Sequence, residues 1–211
     1  MARALEFAGW ARANVKAVAI GAGVFVLLIG GGLYYSYFSA ARERDAEAQL
    51  MTVQRTVNTG NPQLAARDLE AFVHRYEGTE AATEAQVALA QMYLQENQAA
   101  KAVAALKGAD SRIGKSEIGP QAAILLAAAQ NAAGDTTGAV TTYLTVADKA
   151  PHEYQKSEAL ENAAVLRAQS GDFKGAAELY QRLVDAAPEE SAQRQLYEMR
   201  LAEAQARAEI R

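Results

Sequence analysis

The sequence predicts an all-α protein: one N-terminal transmembrane helix, then an α-solenoid of about four helix-turn-helix repeats and a C-terminal capping helix. Three observations carry this reading. Residues 17–38, AVAIGAGVFVLLIGGGLYYSYF, run 22 positions without a charge. An alanine in a matching local context recurs at a spacing of 37 residues. The composition is half apolar yet only 7% aromatic, with four prolines. Alanine dominates the apolar class and is the best helix former, while the β-branched residues that favour sheets are sparse.

Composition also removes several kinds of function. There is no cysteine, which excludes disulfides, thiol catalysis and cysteine-based zinc sites. The net charge is −4, and beyond residue 16 the chain carries 18 basic against 24 acidic residues. A mildly acidic body without a basic stripe argues against nucleic acid as a partner.

The elements follow in order. Residues 1–16 form a short cytoplasmic or interfacial segment. Leu5, Phe7 and Trp10 lie there among Arg and Ala, compatible with a short helix on the membrane surface or with a frayed tail. As an α-helix, residues 17–38 span the roughly 30 Å of a bilayer core. Tyr34, Tyr35, Tyr37 and Phe38 fall at its far end, where amphipathic rings prefer the interface. A cleaved signal peptide fits less well, because the apolar run is too long and bulky rings stand where small residues precede a cut. Arg3, Arg12 and Lys16 precede the span, whereas Arg42 and Arg44 follow it interleaved with acidic residues. That bias places the N-terminus in the cytoplasm and the remainder outside, in the periplasm of a bacterial inner membrane. Ala19, Gly23, Val26 and Gly30 share one face of the span. Small residues at that spacing are expected to let a neighbouring membrane helix approach closely.

Residues 39–188 carry the repeat. Ala65, Ala102, Ala139 and Ala176 stand 37 residues apart. Gly60, Asn97, Gly134 and Gly171 stand five residues before them, and Leu69, Leu106, Tyr143 and Tyr180 four residues after. Pro151 and Pro188 close the last two copies. A fixed period of this size marks a solenoid of helical hairpins. The small residue lets the second helix (B) lie close against the first (A), Gly or Asn accepts a left-handed turn between them, and the large residue fills the groove beside the next hairpin. Asp135 and Asp172 follow the turn glycines and are expected to cap the B helices. The pattern predicts helices over 17–58, 62–77, 80–96, 99–110, 117–133, 136–149, 153–170, 173–186 and 189–208. Residues 107–120, KGADSRIGKSEIGP, read as an irregular elbow. In 189–211, Leu196 and Met199 mark the apolar side of a polar capping helix, with Glu189 and Glu190 at its N-terminus.

These hairpins resemble the tetratricopeptide repeat. The fourth copy matches that motif best, at Leu160, Ala164, Gly171, Phe173, Ala176, Tyr180, Leu183 and Pro188. Two departures stand out: the period is 37 rather than about 34, and the large aromatic expected early in helix A is missing. The resemblance implies that the A helices line a groove for partner polypeptides. Carried over by motif position, that groove is formed by Gln54, Val57, Asn58, Gln91, Leu94, Gln95, Asn131, Glu161 and Gln169, a set dominated by amides.

No catalytic, cofactor or metal-binding motif stands out. HExxH, a phosphate-cradling Gly-rich loop and Gly-x-Ser-x-Gly are all absent. His74 and His152 fall in different repeats, each near the end of a B helix, and are expected to cap carbonyls. One N-terminal membrane helix ahead of a tetratricopeptide-like body resembles the membrane-anchored ancillary subunits of the bacterial Sec translocon. That implies binding of partner or client polypeptides and no small-molecule substrate. The alternative is a permanent accessory subunit of an inner-membrane complex, docked by its Gly-rich helix.

Overall fold

The computed structural model of the protein describes residues 14–57 and 61–210, leaving aside the side chains of 17–19, 21–23, 56 and 57. Among the described residues there are helices and turns but no strand. The helices are α1 (Val15–Val57), α2 (Pro62–Arg75), α3 (Glu80–Gln95), α4 (Ala99–Ala105), α5 (Gly119–Ala132), α6 (Thr136–Lys149), α7 (Glu153–Gln169), α8 (Phe173–Ala186) and α9 (Ala192–Glu209). A 3-10 turn at Ala109–Arg112 separates α4 from α5. The chain divides into two units, one ending at Asp45 and one beginning at Ala46.

In the first unit, every side chain from Val24 to Phe38 is exposed, Leu27 by 75% and Tyr37 by 78%. Helix α1 holds, within Val24–Arg55, a window long and apolar enough by length and composition to cross a membrane.

In the second unit, Ala46–Val57 of α1 supplies the A helix of the first hairpin. The pairs α3/α4, α5/α6 and α7/α8 form the next three. Each of these three turns closes in the same way. Gln98 N–H donates to Tyr93 O at 2.7 Å, Asp135 N–H to Gln130 O at 2.9 Å and Asp172 N–H to Arg167 O at 2.9 Å. That six-residue closure needs a left-handed residue at the helix end. Asn97 (φ 57°), Gly134 (φ 91°) and Gly171 (φ 81°) supply it. Asp135 and Asp172 then accept from the backbone N–H of Gly138 and Gly175, both at 2.9 Å, and cap α6 and α8 as expected. Gly60 lies outside the described residues.

The repeated alanines are the tightest points of the stack. Ala65, Ala102, Ala139 and Ala176 are all fully buried, and Leu69, Leu106, Tyr143 and Tyr180 lie beside them in the core. Burying a leucine of this kind contributes roughly 2 kcal/mol. The A helices pack side by side, α3 on α5 and α5 on α7. Helix α5 joins two apolar clusters. Its Ala122, Leu126 and Ala129 face the cluster of the first two hairpins, and its Ala123 and Ala127 face that of the last two.

Four expectations change. The helix predicted over 99–110 stops at Ala105, because Leu106 turns inward and Gly108 takes a left-handed φ of 83°. The elbow that follows is held by Glu80 of α3. Its carboxylate accepts from Ile118 N–H at 2.8 Å and Ser116 Oγ at 2.7 Å. The last helix begins at Ala192 rather than 189, because Ser191 Oγ caps Arg194 N–H at 3.1 Å; Glu189 and Glu190 lie in the turn before it. Its apolar side is also not the expected one. Leu196 and Met199 are 40% and 60% exposed, while Tyr197 and Ala204 are buried against α7 and α8. Finally, the histidines differ from their expected roles. His74 lies inside the last turn of α2 rather than past its end. His152, which does follow the B helix α6, is the N-cap residue of α7 without a side-chain cap hydrogen bond, its ring stacked on Tyr154 at 5.6 Å.

Candidate partner-binding surface

The A helices of the second unit present a row of polar side chains. Gln54 of α1 and Glu84 of α3 meet across neighbouring A helices, Gln54 Nε2 donating to Glu84 Oε1 at 3.2 Å. Gln54, Gln91, Gln95, Asn131, Glu161 and Gln169 are exposed, and Leu94 is half-buried. Asn58 and the side chain of Val57 lie outside the described residues. Asn131 is committed in part to its own hairpin, since its Oδ1 accepts from Thr136 Oγ1 at 3.0 Å. Gln54 and Gln91 occupy one register position, 37 residues apart, and Gln95 and Gln169 another, 74 residues apart.

The expected membrane-helix face divides. Val26 and Gly30 are exposed, and open space surrounds Gly30. The side chain of Ala19 and the surroundings of Gly23 are outside what the structure describes.

Glu161 has a more specific setting. Its carboxylate faces the Tyr197 hydroxyl of α9, which also accepts from Gln193 Nε2 at 2.7 Å. Burial pushes the Tyr197 phenol above its ordinary range, and Glu161 pushes it further. Tyr180, beside it, is raised first by burial; Arg200 opposes that shift, and Glu161 and Glu203 add to it.

Along the same side of α7 lies a cavity of about 280 Å³. Val165, Ala168 and Gln169 of α7, Phe173 and Tyr180 of α8, and Arg200, Glu203, Ala204 and Arg207 of α9 line it. The α9 residues were not among the groove candidates. The repeat register contained the signal: adding 37 to Leu160 gives Tyr197, and both are buried. Helix α9 therefore keeps the register of the A helices while capping the fourth hairpin, packed on α8. A second cavity, of about 430 Å³, lies between α2, α3 and α4 and is lined by Glu70, Leu89, Tyr93 and Lys101 among others. There the Tyr93 hydroxyl donates to Glu70 Oε1 at 2.5 Å. Burial, that hydrogen bond and the neighbouring carboxylates push the Tyr93 phenol up to about 12. Among the described residues, no three His, Asp or Glu side chains gather as a metal site.

The chain matches the tetratricopeptide repeat-like domain family over residues 9–206. No curated protein matches it. Among solved structures, it is similar to the nearly identical TPR-like repeats of a Podosopora anserina protein assigned as a kinesin light chain. The identity is 22% and the TM-score 0.56, over 81% of this chain and 89% of that one. A single-substitution variant of that protein matches at 21% identity with the same TM-score and coverage. At such identity the likeness concerns the fold.

Proposed function

This chain belongs to the tetratricopeptide repeat-like domain family, and we propose that it is a membrane-anchored scaffold whose repeat domain binds partner or client polypeptides through its A-helix face. Repeat domains of this fold typically mediate protein–protein interaction rather than catalysis. The observation that carries the reading is the exposed row Gln54, Gln91, Gln95, Glu161 and Gln169 on the A helices. Amides donate and accept, so they suit hydrogen bonds to an extended backbone with little regard for its side chains. Helix α1 is the anchor. The charge bias around it puts the N-terminus in the cytoplasm and the repeats in the periplasm, where partners resembling newly exported chains are met, as for the ancillary translocon subunits.

The test uses the full chain in its membrane, with a photo-crosslinking residue at Gln91 or Glu161 and a control at Lys174 on the B helix α8. Discrete adducts from the A-face positions and none from Lys174 support the reading. Equal labelling at all three, or none, overturns it.

A second reading rests on the unbroken exposure of Val24–Phe38. In it, the helix docks permanently on a membrane complex through Ala19, Gly23, Val26 and Gly30, and the repeat domain covers an extramembrane subunit. Gly23→Leu with Gly30→Leu then strips the protein from its complex in mild detergent, whereas unchanged co-purification removes this reading.

A further inference from the structure

We propose that the cavity between α7, α8 and α9 is an anchor pocket. It seats one large apolar side chain of a bound polypeptide, with an acidic residue next to it on the Arg207 side. The inference rests on the partner-binding reading and deepens it.

The size and walls of the cavity decide the class of occupant. At about 280 Å³ it falls just below the range of about 300–1,000 Å³ typical of small-molecule pockets. Val165, Ala168, Phe173, Tyr180 and Ala204 give it apolar walls. Two of these five are alanines, so the space comes from missing side-chain volume. Val165 is 38% exposed: the apolar surface continues outward to the A face, one helical turn from Glu161 and beside Gln169. An occupant arriving along that face meets an amide, then an apolar recess.

The charges around the recess have a direction. Arg207 lies over the Phe173 ring at 5.5 Å. Arg207 and Arg200 both pair with Glu203, at 2.8 and 3.3 Å. Two guanidinium groups thus share one carboxylate, Arg207 over the Phe173 wall, whereas Glu161 stands beside Tyr197. A segment with its acidic residue toward Arg207 meets favourable potential there, and one with that residue toward Glu161 meets repulsion.

The experiment uses the full chain in detergent micelles and fluorescein-labelled twelve-residue peptides read by fluorescence anisotropy. The central residue is Trp, Phe, Leu or Ser, with Asp or Lys on one side of it only and neutral residues elsewhere. Asp-flanked peptides with a large apolar centre should bind about tenfold tighter than the Ser peptide, the factor expected for burying one such side chain. Ala168→Trp, which fills the recess, and Val165→Glu, on its exposed wall, should each abolish that difference, with helical content unchanged by circular dichroism. Arg207→Glu should move the preference from Asp to Lys flanks. Peptide binding that ignores the central residue, or survives Ala168→Trp and Val165→Glu undiminished, overturns the pocket while leaving the A-face reading intact. Absence of binding by every peptide also overturns the pocket; the crosslinks at Gln91 then decide separately whether the A face binds partners.

Discussion

The second hairpin (α3/α4) and the fourth (α7/α8) share a register but not a build. Both turn through a left-handed residue, Asn97 or Gly171, and both close with the same long hydrogen bond. Both bury an alanine completely at the contact between their helices. Beyond that they diverge. The fourth has a side-chain cap at Asp172 and a B helix of 14 residues. In the second, Gln98 makes no cap, and the B helix lasts 7 residues before an elbow replaces it. The repeat is therefore held by the turn and the small-residue contact, while cap and helix length vary around them.

Four kinds of change, at the shared contact, the elbow, the caps and one buried phenol, break or sharpen this comparison. The largest effect is expected at the shared contact. Ala176→Leu forces a branched side chain into a fully closed site and should cost roughly 1–3 kcal/mol in thermal unfolding. Ala102→Leu should cost a similar amount, and a neutral result there would show that the two contacts are not equivalent. Next is Gly119→Ala, which tests the elbow found only after the second hairpin. A Cβ at Gly119 runs into the Arg112 carbonyl, so this single methyl should destabilise by about 1–2 kcal/mol, read as a lower denaturant midpoint. The caps come third. Asp172→Ala should lose about 1 kcal/mol. Gln98→Asp should gain several tenths to about 1 kcal/mol, because Gln98 already has nearly the backbone of the capped positions: φ −100°, ψ 55°, against φ −81°, ψ 67° at Asp172.

The smallest effect concerns titration. Tyr93 holds in the second hairpin the register position that Arg167 holds in the fourth. Its phenol is raised from 10.0 to about 12, so the neutral form is favoured in the folded chain. Its contribution to stability is complete below pH 10 and is lost as pH rises toward 12. Glu70→Gln removes the hydrogen-bonded carboxylate and should lower the Tyr93 midpoint, read by ultraviolet absorbance of the phenolate.

Much of this was legible in the chain. The 37-residue spacing located the turns and the buried alanines, and α6 and α8 lie where the pattern set them. Local chemistry explains that success: a left-handed Gly or Asn, an Asp cap and a following Pro each act within a few residues. The candidate surface was legible only in part. Gln54, Gln91, Gln95, Glu161 and Gln169, carried over from the motif positions, are exposed, whereas the α9 side of the pocket was missed because Leu196 and Met199 drew the apolar face to the wrong side.

The sequence by itself determined the number of hairpins, the register and the uncharged run of α1, since each is written in spacing or composition. Tertiary structure decided which face of α9 turns inward, where α4 ends, and that a recess opens between α7, α8 and α9. Those outcomes depend on residues far apart in the chain coming together: Glu80 holding Ile118, Tyr197 entering the core of the last hairpin, and two alanines, Ala168 and Ala204, lining a recess that larger side chains would have closed.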